Sequence, residues 1–152
     1  MRPLILNGAC SWRLNDEFYS ISNSASNPVT AIGGPVLSGA LIGAAMAAEP
    51  EDPYGHPYQM INGFAVRAEV KDHGTQNRIE NCPPPGAYAM VVDDVMTTGN
   101  SLRRACDHLM LEDVNIASIS VILDNDEKGV AERLTMEYGC PVYSLFKASD
   151  FD

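Results

Sequence analysis

Apolar and polar positions along the chain fall into blocks whose spacing predicts an ordered series of strands and helices. "PLILNG" (3–8) and "EFYSIS" (17–22) predict two short strands, a hairpin at the N-terminal edge, and "SNSASNP" (22–28) is a turn-rich connector. "VTAIGG" (29–34) predicts a short strand that runs into the helix "VLSGALIGAAMAAE" (36–49), whose Gly and Ala residues let it lie close against a sheet. "PEDPYGHPY" (50–58) is a proline-rich loop and "INGFAVRAE" (61–69) a strand. The segment 70–86 has no apolar period; a polar loop of that length in a compact domain points to a functional lid or to disorder.

The second half has a clearer period. "AYAMVVD" (87–93) predicts a buried strand. From Gly99 onward, Leu102, Ala105, Cys106 and Leu109 recur on one helical face. "VNIASISVILD" (114–124) is the next strand, and "DEKGVAERLTMEYG" (126–139) is a helix with Gly139 as its C-cap and Pro141 beyond. "PVYSLF" (141–146) closes the series. Strand, helix, strand, helix, strand predicts an α/β fold, a parallel sheet flanked by helices.

The candidate chemistry lies in "AMVVDDVMTTGNS" (89–101), where a buried strand ends in the adjacent carboxylates Asp93 and Asp94. In open parallel sheets, ligands sit outside the carboxyl ends of the strands. Thr97, Thr98, Gly99, Asn100 and Ser101 then offer hydroxyls and backbone N–H groups at a helix N-terminus, which suits an anion. Taken alone, that turn is equally a plain helix cap. With the acid pair directly before it, phosphate on the turn and sugar hydroxyls on the carboxylates together describe a sugar phosphate.

Composition narrows the setting. The 152 residues suit one domain (1–152), and 45% apolar with 20% charged residues is a globular profile. No apolar run reaches a membrane span of roughly 18 residues. "MRPLILNGACSW" lacks a cleavage site, so no signal peptide is expected. Cysteines 10, 82, 106 and 140 form no CxxC pair, which suits reduced thiols in cytoplasm and neither a disulfide frame nor a zinc site. A net charge of −10 argues against a nucleic-acid partner.

"MVVDDVMTTGNS" closely resembles the phosphoribosyl diphosphate signature of type I phosphoribosyltransferases, with Val95, Thr97 and Gly99 in register. The resemblance implies that Asp93 and Asp94 bind the ribose hydroxyls and that residues 97–101 hold the 5-phosphate. "RAEVKDHG" (67–74) resembles the catalytic lid of the orotate branch, through Arg67, Lys71, His73 and Gly74. It implies that Lys71, His73 and Arg67 serve the diphosphate, with the lid reaching a neighbouring subunit in a homodimer. Cations brought in at closure would stabilise the leaving diphosphate. "GGPVLSG" (33–39) resembles the family's diphosphate loop and adds Ser38 and Gly39. Magnesium is implied as a cofactor bound mainly through phosphoribosyl diphosphate, with no metal site built from protein ligands alone.

The resemblance covers residues 29–146, the expected core, and leaves 1–28 as a reduced hood. Ala68 stands where the lid pattern has a second lysine. Asn125 stands where the branch has the arginine that holds orotate. The function implied is transfer of ribose 5-phosphate to a pyrimidine base, orotate first, with release of diphosphate. The alternatives are a non-catalytic regulatory protein that binds phosphoribosyl diphosphate, or a transferase for another base. His56 and His108 are read as structural or solvated. Trp12 is read as packing, with base stacking as the alternative.

Overall fold

The computed structural model describes residues 16–18, 28–48, 61–68, 77–125 and 129–151. Strand β1 (Ala31–Pro35) leads to helix α1 (Ser38–Ala47), followed by β2 (Asn62–Val66) and β3 (Ile79–Glu80). Then come β4 (Tyr88–Met96), α2 (Asn100–Leu111), β5 (Asn115–Asp124), α3 (Val130–Tyr138) and β6 (Val142–Lys147). A short 3-10 turn covers Ala148–Phe151. The strands form one six-stranded sheet in the order β3-β2-β1-β4-β5-β6. All neighbours are parallel except β2 and β3.

Alternation along β4 builds two cores, one on each face of the sheet. Ala89 and Val91 join Phe64, Val66, Ile79, Leu102 and Leu109 under α2, while Met90 and Val92 join Ile32, Ile42 and Met46 under α1. Helix α1 lies almost on the strands. A Cβ added at Gly34 or Gly39 would overlap the Val92 carbonyl oxygen, so only glycine permits this approach. Helix α2 is held to α3 by the Tyr138 hydroxyl, 2.8 Å from Asp107 Oδ1, and by Arg103 Nε, 2.8 Å from Glu137 Oε2. These contacts position the start of α2.

Three expectations are corrected. Residues 16–18 are helical, and Phe18 is fully buried against the α1 core, so the strand expected over 17–22 does not begin there. Segment 70–86 contains β3, two residues that extend the sheet antiparallel to β2. Strand β4 continues to Met96, so the acid pair lies within the strand and not after it, because β4 keeps pairing with β5 as far as Asp124. Residues 3–8 and most of 17–28 lie outside the described residues.

Candidate functional site

The direction of winding reverses between β1 and β4: one half of the chain builds outward to β3, the other to β6. A crevice at the carboxyl ends of strands forms at such a reversal and is where ligands sit in doubly wound sheets. At this crest Asp93 is buried, with 7% of its surface exposed, and Asp94 is half-buried. Asp93 Oδ1 accepts the Asp94 backbone N–H at 2.9 Å, and Oδ2 accepts the Ser101 hydroxyl at 3.3 Å. Asp94 Oδ1 accepts the Val95 N–H at 2.9 Å. Burial pushes the Asp93 carboxyl up to about 7; hydrogen bonds from the Asp94 backbone and Ser101 oppose the rise, and the Asp94 charge adds to it.

The turn after β4 leaves Thr97 and Thr98 exposed and bends at Gly99, whose φ of 74° favours glycine. Gly99 caps α2 without a side-chain hydrogen bond of its own, and Thr98 Oγ1 accepts the Asn100 N–H at 3.5 Å; a helix start of this kind suits an anion. Asn100 is exposed and Ser101 half-buried. Helix α1 also starts without a side-chain cap; Ser38 and Gly39 are buried at its first turn, after a cis Val36–Leu37 peptide. Because Gly34 and Gly39 abut the Val92 carbonyl, the loop before α1 lies beside the acid pair, which follows Val92 directly along β4.

Arg67 follows β2 at the same crest. The Val36 N–H donates to the Val66 carbonyl at 2.9 Å, joining the α1 loop to the residue before Arg67. Arg67 Nε is 2.8 Å from Glu80 Oε1, and a second guanidinium nitrogen is 2.6 Å from the same oxygen. Glu80 was not anticipated from the sequence, because its strand is too short to show a period. Asn125 is exposed at the end of β5, with its N–H donating to Met96 O at 2.9 Å. Thus Ser38, Gly39, Arg67, Asp93, Asp94, Val95, residues 97–101 and Asn125 share one edge of the sheet. Lys71, His73, His56 and Trp12 lie outside the described residues.

His108 sits elsewhere, in a cleft of about 430 Å³ with Arg78 and Cys82, and its Nε2 is 3.1 Å from an Arg78 guanidinium nitrogen. Burial, and then the Arg78 charge, lower its pKa. Cys82, Cys106 and Cys140 are free thiols. Among the described residues no three His, Cys, Asp or Glu side chains converge as a metal cage, and no helix is long and apolar enough to cross a membrane. Two carboxylates beside an anion-binding turn suit magnesium, which keeps waters and takes one or two carboxylates plus substrate phosphates.

An α/β sheet with an acid pair and two helix starts at its winding reversal defines the class of protein: one built to take a ligand at its strand crest. No family model matches the sequence. An orotate phosphoribosyltransferase of Nitrosococcus oceani is 31% identical over 149 residues, covering 93% of this chain and 66% of that protein. The chain spans about half to two thirds of the length of the curated relatives it matches. The orotate phosphoribosyltransferase structure from Aeropyrum pernix superposes with a TM-score of 0.74 at 25% identity, covering 99% of this chain and 78% of that one. A Mycobacterium tuberculosis orotate phosphoribosyltransferase, in complex with 5-phospho-α-D-ribosyl 1-diphosphate, shares the fold at a TM-score of 0.79 and 21% identity, covering 99% and 81% of the two chains. The chain belongs to the type I phosphoribosyltransferase family, and these relatives lie in its orotate branch.

Proposed function

We propose that this chain is an orotate-type phosphoribosyltransferase of pyrimidine nucleotide synthesis. It transfers ribose 5-phosphate from phosphoribosyl diphosphate to a pyrimidine base, orotate first, and releases diphosphate. The observation that supports this most is the meeting, at one winding reversal, of the acid pair with the 97–101 turn and the loop before α1. The bound substrate of the Mycobacterium tuberculosis neighbour supports the same ligand here.

The 97–101 turn holds the 5-phosphate through N–H groups and hydroxyls at the α2 start. Asp93 and Asp94 accept hydrogen bonds from the ribose hydroxyls, and Ser38, Gly39 and Arg67 face the diphosphate. The base nitrogen forms its bond to ribose C1 as the C1–O bond to diphosphate breaks, and that electron pair leaves with the diphosphate. Asp93 and Asp94 would also help to hold a magnesium ion carried in by the substrate, which would supply positive charge to the diphosphate. Lys71 and His73 supply further cations from a lid shared across a homodimer, in which the partner completes the site. One domain over 1–152, with 1–28 as a reduced hood and 29–146 as core, works in the cytoplasm.

A diphosphate-release assay with magnesium, phosphoribosyl diphosphate and a panel of bases tests the reading. Release dependent on a pyrimidine is expected. Binding of phosphoribosyl diphosphate with no turnover of any base would replace it with the regulatory reading. Turnover of a purine alone would leave only the wider transferase class.

A further inference from the structure

We propose that Glu80 is a positioning residue for diphosphate binding: it fixes the Arg67 guanidinium at the strand crest. The inference rests on the reading that Arg67 faces the diphosphate. Strand β3 is two residues long, and its pairing sets Glu80 opposite Ala65 and Ile79 opposite Val66. The Arg67 N–H donates to Arg78 O at 2.8 Å and extends that ladder by one rung. Residues 65, 67 and 80 therefore share one face of the sheet, since Phe64, Val66 and Ile79 are buried in the core on the other. It is the face that α1 covers, where the loop before α1 and Asp94, in step with Met90 and Val92, also lie.

Glu80 Oε1 receives Nε and one terminal nitrogen of Arg67, at 2.8 and 2.6 Å. A guanidinium has five N–H donors in a rigid fork, so this contact occupies one edge and leaves the remaining donors for a second oxyanion. Two effects of Glu80 oppose each other. Its charge weakens the attraction of Arg67 for an anion, but both side chains are partly exposed, at 30% and 57%, and solvent screens that charge. Its hold removes rotamer freedom that Arg67 would otherwise lose on binding diphosphate. With the pair screened and the fork geometry fixed, ordering wins, and Glu80 strengthens diphosphate binding through Arg67.

The test is a double-mutant cycle read as the Kd of magnesium–diphosphate and of magnesium–phosphoribosyl diphosphate by calorimetry. It uses wild type, Glu80→Gln, Arg67→Gln and the double variant, with melting temperatures to verify folding. Glu80→Gln should raise both constants about three- to tenfold, the size set by ordering one long side chain. In the Arg67→Gln background the same change should have no effect, an outcome that general destabilisation of β3 would not produce. Tighter binding by Glu80→Gln, an unchanged Kd, or an effect that persists without Arg67 would each overturn the proposal. Neither constant requires an acceptor base. A wild type that binds diphosphate but transfers to no base therefore sinks the transferase reading alone, whereas one that binds neither ligand removes this proposal as well.

Discussion

Ser101 donates its hydroxyl to Asp93 at 3.3 Å, so the first turn of α2 is tied to the most buried carboxylate of the crest. Burial raises the Asp93 pKa and this hydrogen bond lowers it. The balance of burial, the Asp94 backbone N–H, the Asp94 charge and the Ser101 hydroxyl leaves the group at about 7, where a change at one neighbour, Ser101, alters its charge.

Removing that neighbour should therefore be visible in a pH profile. In Ser101→Ala, Asp93 loses a donor that favours its ionised form and protonates at a higher pH. The acid limb of phosphoribosyl diphosphate binding should move up by about half to one pH unit, the scale of one lost hydrogen bond. A loss of affinity that is uniform from pH 6 to 9 would mean that Ser101 touches only the phosphate.

The same carboxylate should cost the free protein stability. Its folded pKa, about 7, lies above its ordinary 3.8, so the folded state binds more protons within that window. Its contribution is fully present below about pH 4 and is lost as pH rises through 7. Three pKa units correspond to about 4 kcal/mol, an upper bound because part of the shift comes from the charge of the adjacent Asp94 carboxylate. Asp93→Asn should accordingly gain about 2–4 kcal/mol in urea unfolding at pH 8 and almost nothing at pH 4. Combined with Asp94→Asn, it should abolish the rise in melting temperature that saturating magnesium–phosphoribosyl diphosphate gives the wild type. A double variant still stabilised by ligand would remove the acid pair from the site.

A third expectation concerns the seat of α1. An alanine at Gly39 would drive its Cβ into the Val92 carbonyl, and backbone cannot move aside cheaply. Gly39→Ala should cost about 2–3 kcal/mol by overpacking and displace the loop beside the acid pair, weakening ligand binding with it. Gly63→Ala is the control, because its added Cβ would meet Ala47 Cβ at 3.5 Å, an ordinary contact. Its stability should stay within about 0.5 kcal/mol of wild type. Equal losses in the two variants would show that α1 does not depend on close approach at Gly39.

These relationships differ in how far the sequence discloses them. Strands β4 and β5 and helix α2 are long enough for apolar spacing to name them, and the acid pair with its turn stands out against that regularity. That Asp93 is buried while Asp94 is half-open is not legible, because it depends on which face of the sheet α2 covers. Strand β3 cannot show a period in two residues; it exists because β2 offers an edge to pair with. The partnership of Arg67 with Glu80 spans 13 positions and arises from that pairing alone. Phe18 resembles a strand residue in its local pattern, yet packs in a helical segment against the α1 core.

The proposed function puts the acceptor base at the end of β5. Asn125 is exposed there, and its backbone N–H to Met96 O fixes the residue at the rim of the crest next to β4. The orotate branch resembled by this sequence has an arginine at that position, and a guanidinium can meet a carboxylate with two charged hydrogen bonds. An asparagine amide is neutral, and neutral hydrogen bonds are roughly half as strong. Losing the charged contact should cost about 2–3 kcal/mol, roughly 30- to 150-fold in orotate affinity. The wild type should therefore use orotate with a high KM and a less affected kcat, since the missing contact binds ground state and transition state alike. Asn125→Arg should lower that KM by at least about tenfold and leave the KM for phosphoribosyl diphosphate unchanged, because the 97–101 turn and the acid pair are untouched. Steady-state kinetics with each substrate varied separately would show the split. Good turnover of uracil with orotate inert even in Asn125→Arg would move the chain out of the orotate reading while leaving its sugar-phosphate site in place.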